Sequence, residues 1–168
     1  IRANELDLGV VGGHFLVAGE RCLAAGLLDE LVLVVSPRHR WGKRRDVGPA
    51  RLAEEPLLMR EEGSATRQLT ERVLREAGVR FSTAMELGHI EAIKQAVMAG
   101  LGVAFLSAHA IRGELATGRL RALRVRGLRL RRHFHVIHHE ARTLAPAARA
   151  LVALLDETLA PRARSRPS

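Results

Sequence analysis

Continuous apolar runs alternate with helix-period stretches along most of the chain. Residues 6–11 (LDLGVV) and 31–36 (LVLVVS) are apolar on successive positions, as expected of strands buried on both faces. Residues 57–60 form a further short strand. Residues 66–77 predict a helix with Leu69, Val73 and Ala77 on one stripe, ended by Gly78. Residues 81–87 can form a strand. The next helix aligns Ile90, Ile93, Val97 and Leu101; Gly100 closes it, and Gly102 turns the chain into a buried strand over 103–107. A short helix over 109–117 is stopped by Gly118, and strands follow over 120–125 and 133–139. Pro146, a good first-turn residue, opens a final amphipathic helix through Leu155. Residues 37–42 read as a loop in which Trp41 is expected to be a surface or hinge anchor. Strands separated by helices imply an α/β fold with a mostly parallel sheet and right-handed crossovers.

With 168 residues, 47% of them hydrophobic, the chain can build one domain, or two small lobes with a real core. No apolar run reaches the roughly 18 residues of a membrane span, and Ile1 to Glu5 shows no signal region. A single cysteine, Cys22, excludes an internal disulfide framework and suits a reducing compartment. The expectation is a soluble cytoplasmic protein without a membrane partner. The formal charge of +9 points toward phosphates. However, lysine occurs only at Lys43 and Lys94, and the arginines are scattered. The densest run, Arg119 to Arg132, interleaves with Leu120, Leu123 and Val125 and reads as a solvated strand face. Aromatics amount to 3% with no tyrosine, so stacking on bases is poorly served and direct nucleic-acid binding is disfavoured.

The chemistry falls at helix starts. Gly63-Ser64-Ala65-Thr66 opens one helix and Gly88-His89 another, and unpaired amides at such ends favour an anion. Taken alone, Ser64 or Thr66 is better explained as a helix cap. Gly12, Gly13 and His14 follow the first strand, at the kind of strand end where open α/β sheets bind ligands. His133 and His135 share a strand face near His138 and His139, but no cysteine joins them and Arg131 and Arg132 would repel a cation. Cys22 has no base nearby in sequence and reads as a small hydrophobe. Gly9, Gly12 and Gly13 lack dinucleotide-loop spacing. Glu61 and Glu62 are adjacent and diverge on a regular backbone. No constellation for hydrolysis or group transfer emerges, so no enzyme, cofactor or metal is expected.

Residues 56–79 (PLLMREEGSATRQLTERVLREAGV) and 87–108 (LGHIEAIKQAVMAGLGVAFLSA), in this order, resemble the effector-binding domain of LysR-type transcriptional regulators. Within that family the likeness is to the branch of Calvin-cycle and cysteine-biosynthesis regulators, and it runs from about Glu5 to about Leu159. It implies a two-lobed, type 2 periplasmic-binding-protein-like fold. The first lobe would comprise residues 1–35 plus 128–160, the second 36–127, and 161–168 a disordered tail. The family's winged helix-turn-helix and the opening βα units of the first lobe are not found, so the first lobe is expected to be incomplete. DNA would be reached only through that absent N-terminal part. By position, the resemblance assigns a small anionic effector, bound between the lobes, to Gly12, Gly13, His14, Ser64, Ala65, Thr66, Gly88, His89 and Ile90, and it shifts the favoured role of Ser64 and Thr66 from capping to ligand contact. It also implies a homo-oligomer, dimer or tetramer, for the full-length protein. The alternatives are a solute-binding protein of the same fold and, third, an enzyme on it.

Overall fold

The computed structural model describes residues 6–13 and 18–159. The chain divides into two compact units, Ile1–Leu28 with Arg132–Ser168 (unit 1) and Asp29–Arg131 (unit 2). The switch points expected near Ser36 and Gly127 therefore fall inside unit 2. The reason lies in the two strands that run from one unit into the other. Strand β2 (Glu20–Val35) is 16 residues long, and its last part is built into the core of unit 2.

Unit 1 contains β1 (Gly9–Gly12) and, at the far end of the sequence, most of β8 (Leu130–His139) and helix α4 (Pro146–Leu159). Strands β1 and β8 pair antiparallel, Gly9 opposite Ile137 and Gly12 opposite Phe134. The tail at 161–168 and His14 lie outside the described residues.

Unit 2 follows β2 with β3 (Asp46–Val47), a 3-10 turn (Pro49–Glu54), β4 (Leu57–Arg60), α1 (Ala65–Glu76) and β5 (Thr83–Leu87). It continues with α2 (Ile90–Met98), β6 (Ala104–Ser107), α3 (Arg112–Ala116) and β7 (Arg121–Val125). Parallel pairing, as expected from the βα alternation, joins β4 to β5 and β3 to β7, and a bridge joins Leu57 to Val103. Strand β2 instead runs antiparallel to β6 and β7, so the sheets are mixed rather than mostly parallel.

The continuous apolar run of β2 is explained by burial on both faces. Leu31, Leu33 and Val35 join one core cluster with Leu57, Met59, Phe105, Leu123 and the α1 residues Leu69 and Leu74. Val34 joins a second cluster with Leu58, Leu106, Ile111 and the α2 residues Ile93 and Val97. Trp41 is no surface anchor: it is 1% exposed in the first cluster, edge-on to His39 with ring centroids 5.0 Å apart. The buried stripe of α1 also differs from expectation. It consists of Thr66, Leu69, Thr70 and Leu74, whereas Ala77 is exposed. Thr70 can be buried because its hydroxyl donates to the Thr66 carbonyl at 2.8 Å. Gly78 and Gly100 take positive φ of 65° and 83° and end α1 and α2, with the next residue's N–H bonded back to Leu74 and Ala96.

One buried charge network ties α2 to α3. Lys94 is 8% exposed, and its Nζ donates to Glu114 Oε1 at 2.9 Å and approaches Glu91 Oε2 at 2.7 Å. The Lys94 ammonium holds the carboxyls of Glu91 and Glu114 below their ordinary range. A carboxyl whose folded pKa is depressed contributes stability above its unfolded value, and that contribution is lost as pH falls through the folded value. The melting temperature of unit 2 should therefore drop on acidification from about pH 5 to about pH 3. Lys94→Met should lower it at neutral pH, by leaving buried Glu114 with only the more distant Arg119, 3.7 Å away, and flatten the acid limb. A thermal melt series by circular dichroism checks both; an unchanged acid limb in the variant would refute the assignment.

Candidate anion site at two helix starts

Strands β4 and β5 lie side by side and parallel, with Arg60 opposite Leu87 at their carboxyl ends. The chain leaves both strands from the same edge, and each loop leads straight into a helix. Ser64 is the N-cap of α1 and His89 that of α2; both have extended backbone, and neither makes a side-chain capping bond. The first amides of a helix have no partner within it, so two sets of donors and two positive dipole ends sit beside one another. Four of the carried-over positions, Ser64, Ala65, Gly88 and His89, are half-buried or exposed, while Thr66 is buried. Ile90 packs its side chain against the second core cluster, so only its backbone is available to a ligand. Gly63, at φ 85°, and Gly88 have open space where a Cβ would sit, which leaves the loop backbones approachable.

Charged side chains around this edge are largely neutralised by one another. Arg60 grips Glu61 through two bonds of 2.6 Å. Arg67 donates to Glu71 at 2.7 Å, to Glu86, and to the Arg60 carbonyl at 3.3 Å. The Arg60 guanidinium holds the Glu61 carboxyl below the usual range, with His89 adding a smaller pull in the same direction. Glu71 and then Glu86 hold the Arg67 guanidinium above its ordinary value. Glu61 occupies the Arg60 fork from an exposed loop, so an incoming anion competes with a carboxylate the protein itself supplies.

The remaining candidates, Gly12 and Gly13 among them, belong to unit 1. Gly13 has φ 65° and donates its N–H to the His133 carbonyl at 3.0 Å, and a Cβ on Gly12 would lie 3.0 Å from the Phe134 ring. A side chain at Gly13 would be strained by the positive φ, and one at Gly12 would press on the Phe134 and Arg132 side chains. Along β8, His133 and His135 share a face, while His138 is buried on the other. Across the sequence, His135 places Nδ1 3.8 Å from Cys22 Sγ, a contact between residues 113 positions apart that no local pattern could reveal. Among the described residues no group of three or more His, Cys, Asp or Glu is placed to hold a metal, and no helix is long and apolar enough to cross a membrane.

A two-unit α/β chain whose helix starts gather at the carboxyl ends of parallel strands is the architecture of a small-ligand binding domain. The chain belongs to the LysR substrate binding domain family, whose model matches residues 1–160. It is 49% identical over 131 residues to the HTH-type transcriptional regulator CbbR of Xanthobacter flavus, covering 76% of this chain and 39% of that protein. It is 39% identical over 155 residues to the RuBisCO operon transcriptional regulator of Acidithiobacillus ferrooxidans, covering 90% of this chain and 49% of the relative. The chain thus spans about half the length, or less, of these relatives. The Synechocystis PCC6803 CcmR regulatory domain, solved in complex with 2-PG, superposes with a TM-score of 0.86 at 25% identity, over 96% of this chain and 77% of that one. The effector-binding domain of QuiR, solved with shikimate, matches in fold with a TM-score of 0.82 at 16% identity, over 94% and 74%. The Xanthobacter and Acidithiobacillus relatives carry the names of transcriptional regulators.

Proposed function

We propose that this chain is the ligand-sensing part of a LysR-type transcriptional regulator and that unit 2 holds a small anionic effector at the starts of α1 and α2. The observation that carries this reading is the pairing of Arg60 with Leu87, which sets two uncapped helix N-termini at one sheet edge. Ser64 and Thr66 supply hydroxyls, Ala65 and Gly88 leave the backbone accessible, and His89 adds a donor. Ser64 makes no side-chain capping bond, which supports a ligand role for its hydroxyl. Support from relatives is consistent: CcmR was solved with 2-PG and QuiR with shikimate. An effector that prefers one conformation shifts the population toward it by its differential affinity and no more. In a longer regulator that shift would reach DNA-binding domains, and the assembly would be a dimer or tetramer.

The test is titration calorimetry at fixed ionic strength with 2-PG, sulfate, phosphate and small carboxylates. Binding of at least one anion is expected. Ser64→Ala with Thr66→Val should weaken it by about tenfold or more, since a hydrogen bond to a charged group contributes roughly 1.5–3 kcal/mol. Responses confined to neutral or cationic ligands, or affinity untouched by the double substitution, would refute the assignment.

A further inference from the structure

We propose that unit 2 carries a second anion site, separate from the helix starts, for a phosphorylated small molecule with at least two negative charges. The site is a cavity of about 980 Å³ formed within unit 2 by residues 30–33 of β2, by β3, β6 and β7, and by the turn into β8. Its volume falls in the range of small-molecule pockets, roughly 300–1,000 Å³. None of Ser64 to Thr66 or Gly88 to Ile90 lines it.

Four arginines, Arg124, Arg126, Arg129 and Arg131, line this one cavity. Two are already engaged: Arg126 with Asp46 at 2.9 Å, and Arg131 with Glu30 at 3.6 Å. Arg124 and Arg129 are exposed and have no carboxylate partner among the described residues. Setting four guanidiniums against the two carboxylates Glu30 and Asp46 leaves two positive charges, the complement of a dianion. Guanidinium forks match phosphate oxygens in pairs, which favours a phosphoryl group over a compact halide or a cation. Leu33, Phe105 and Leu123 back the cavity but are core residues no more than 4% exposed, so recognition rests on the guanidiniums. A nucleic-acid backbone would find the same charges, but the arginines surround a concavity and Phe105, the aromatic side chain lining it, is buried, which leaves no stacking platform.

The proposal is independent of the reading of the helix starts, and one experiment separates them. Pyrophosphate is titrated calorimetrically into the whole chain, into Arg124→Gln with Arg129→Gln, and into Ser64→Ala with Thr66→Val, all at constant ionic strength. Saturable binding is expected in the parent, weakened at least about tenfold by the arginine pair and less than about twofold by the hydroxyl pair. Circular dichroism melts establish that each variant is folded. If the arginine pair fails to fold, Arg129→Gln alone replaces it and should still weaken binding by threefold or more. No saturable binding, equal affinity in the arginine variants, loss only in the hydroxyl pair, or displacement of pyrophosphate by a short duplex DNA would each overturn the assignment.

Discussion

Alanine in place of Gly102 is expected to unfold unit 2 or to leave it barely stable at room temperature. A Cβ at this position would lie 2.3 Å from the Pro56 carbonyl oxygen and 3.0 Å from Leu58 Cδ2. The first contact is with backbone, which no rotamer change relieves. The obstructed segment also joins the edges of β4 and β6: Leu58 N–H donates to the Val103 carbonyl at 2.8 Å, and Val103 N–H to the Pro56 carbonyl at 3.0 Å. Making room for one methyl means separating those strands and losing both bonds. Leu57, Leu58 and Val103, each no more than 1% exposed, would be loosened with them. Overpacking a core typically costs about 1–3 kcal/mol, and each buried backbone group left unpaired adds roughly 1–3 kcal/mol. A total above about 4 kcal/mol is a large part of the 5–15 kcal/mol that holds a domain folded. Urea unfolding followed by circular dichroism gives the answer. A Gly102→Ala midpoint close to the parent's would show that the strands can part cheaply.

Element types were legible where apolar periodicity and a glycine stop agreed. The helix beginning near Thr66 and the helix beginning at Ile90 both end at a positive-φ glycine, as their patterns imply. Boundaries failed where a tertiary partner satisfies a polar group. Asp29 and Glu30 interrupt the apolar run of β2 and hid its extension back to Glu20. Asp29 is fully buried in mid-strand and accepts a hydrogen bond of 2.5 Å from Ser107, a residue 78 positions away. Sequence spacing carries no trace of such a pairing. The α1 stripe was misread for a related reason, because Thr66 and Thr70 counted as polar although Thr70 satisfies itself along the helix. Trp41, expected as a surface or hinge anchor, is buried in a cluster with residues from β2, β3 and the 3-10 turn, which only the fold assembles.

The candidate site divides along the same line. Helix starts rich in small and hydroxyl residues are local features, so Ser64, Ala65, Thr66, Gly88 and His89 could be singled out in one dimension. Their adjacency is not local, because it depends on the register that sets Arg60 opposite Leu87. The arginines from Arg124 to Arg131 illustrate the opposite outcome. Alternation with Leu123 and Val125 correctly predicts their exposure, but the concavity they surround exists only once β2, β3 and β6 have gathered around them.

Amide hydrogen exchange is expected to divide the chain into a protected unit 2 and an unprotected unit 1. Among the described residues, unit 2 holds nearly all of the buried apolar side chains, and the buried apolar residues of unit 1 are Val136 and Ile137. Fully burying one such aliphatic side chain contributes roughly 1.5–3 kcal/mol, and ordering the backbone costs about 1–2 kcal/mol per residue. Two buried aliphatics cannot offset the ordering of β1, residues 20–28 of β2, most of β8 and helix α4. The exposed side of the balance points the same way. Leu6, Val10, Leu27, Leu28, Leu151 and Leu154 are between 38% and 65% exposed, and all six belong to unit 1. In unit 2 the comparably exposed large apolar residues are Met85 and Leu101. Amides of β1 and α4 should therefore exchange through local opening that costs little free energy, while those of β4, β6 and residues 31–35 of β2 exchange only on global unfolding. The expected gap is about a thousandfold or more in protection factor, equivalent to roughly 4 kcal/mol. Equal protection of α4 and β6 would mean that the leucines of unit 1 are covered in solution, by a second copy of the chain or another protein. Repeating the measurement across a tenfold range of protein concentration would distinguish those two covers.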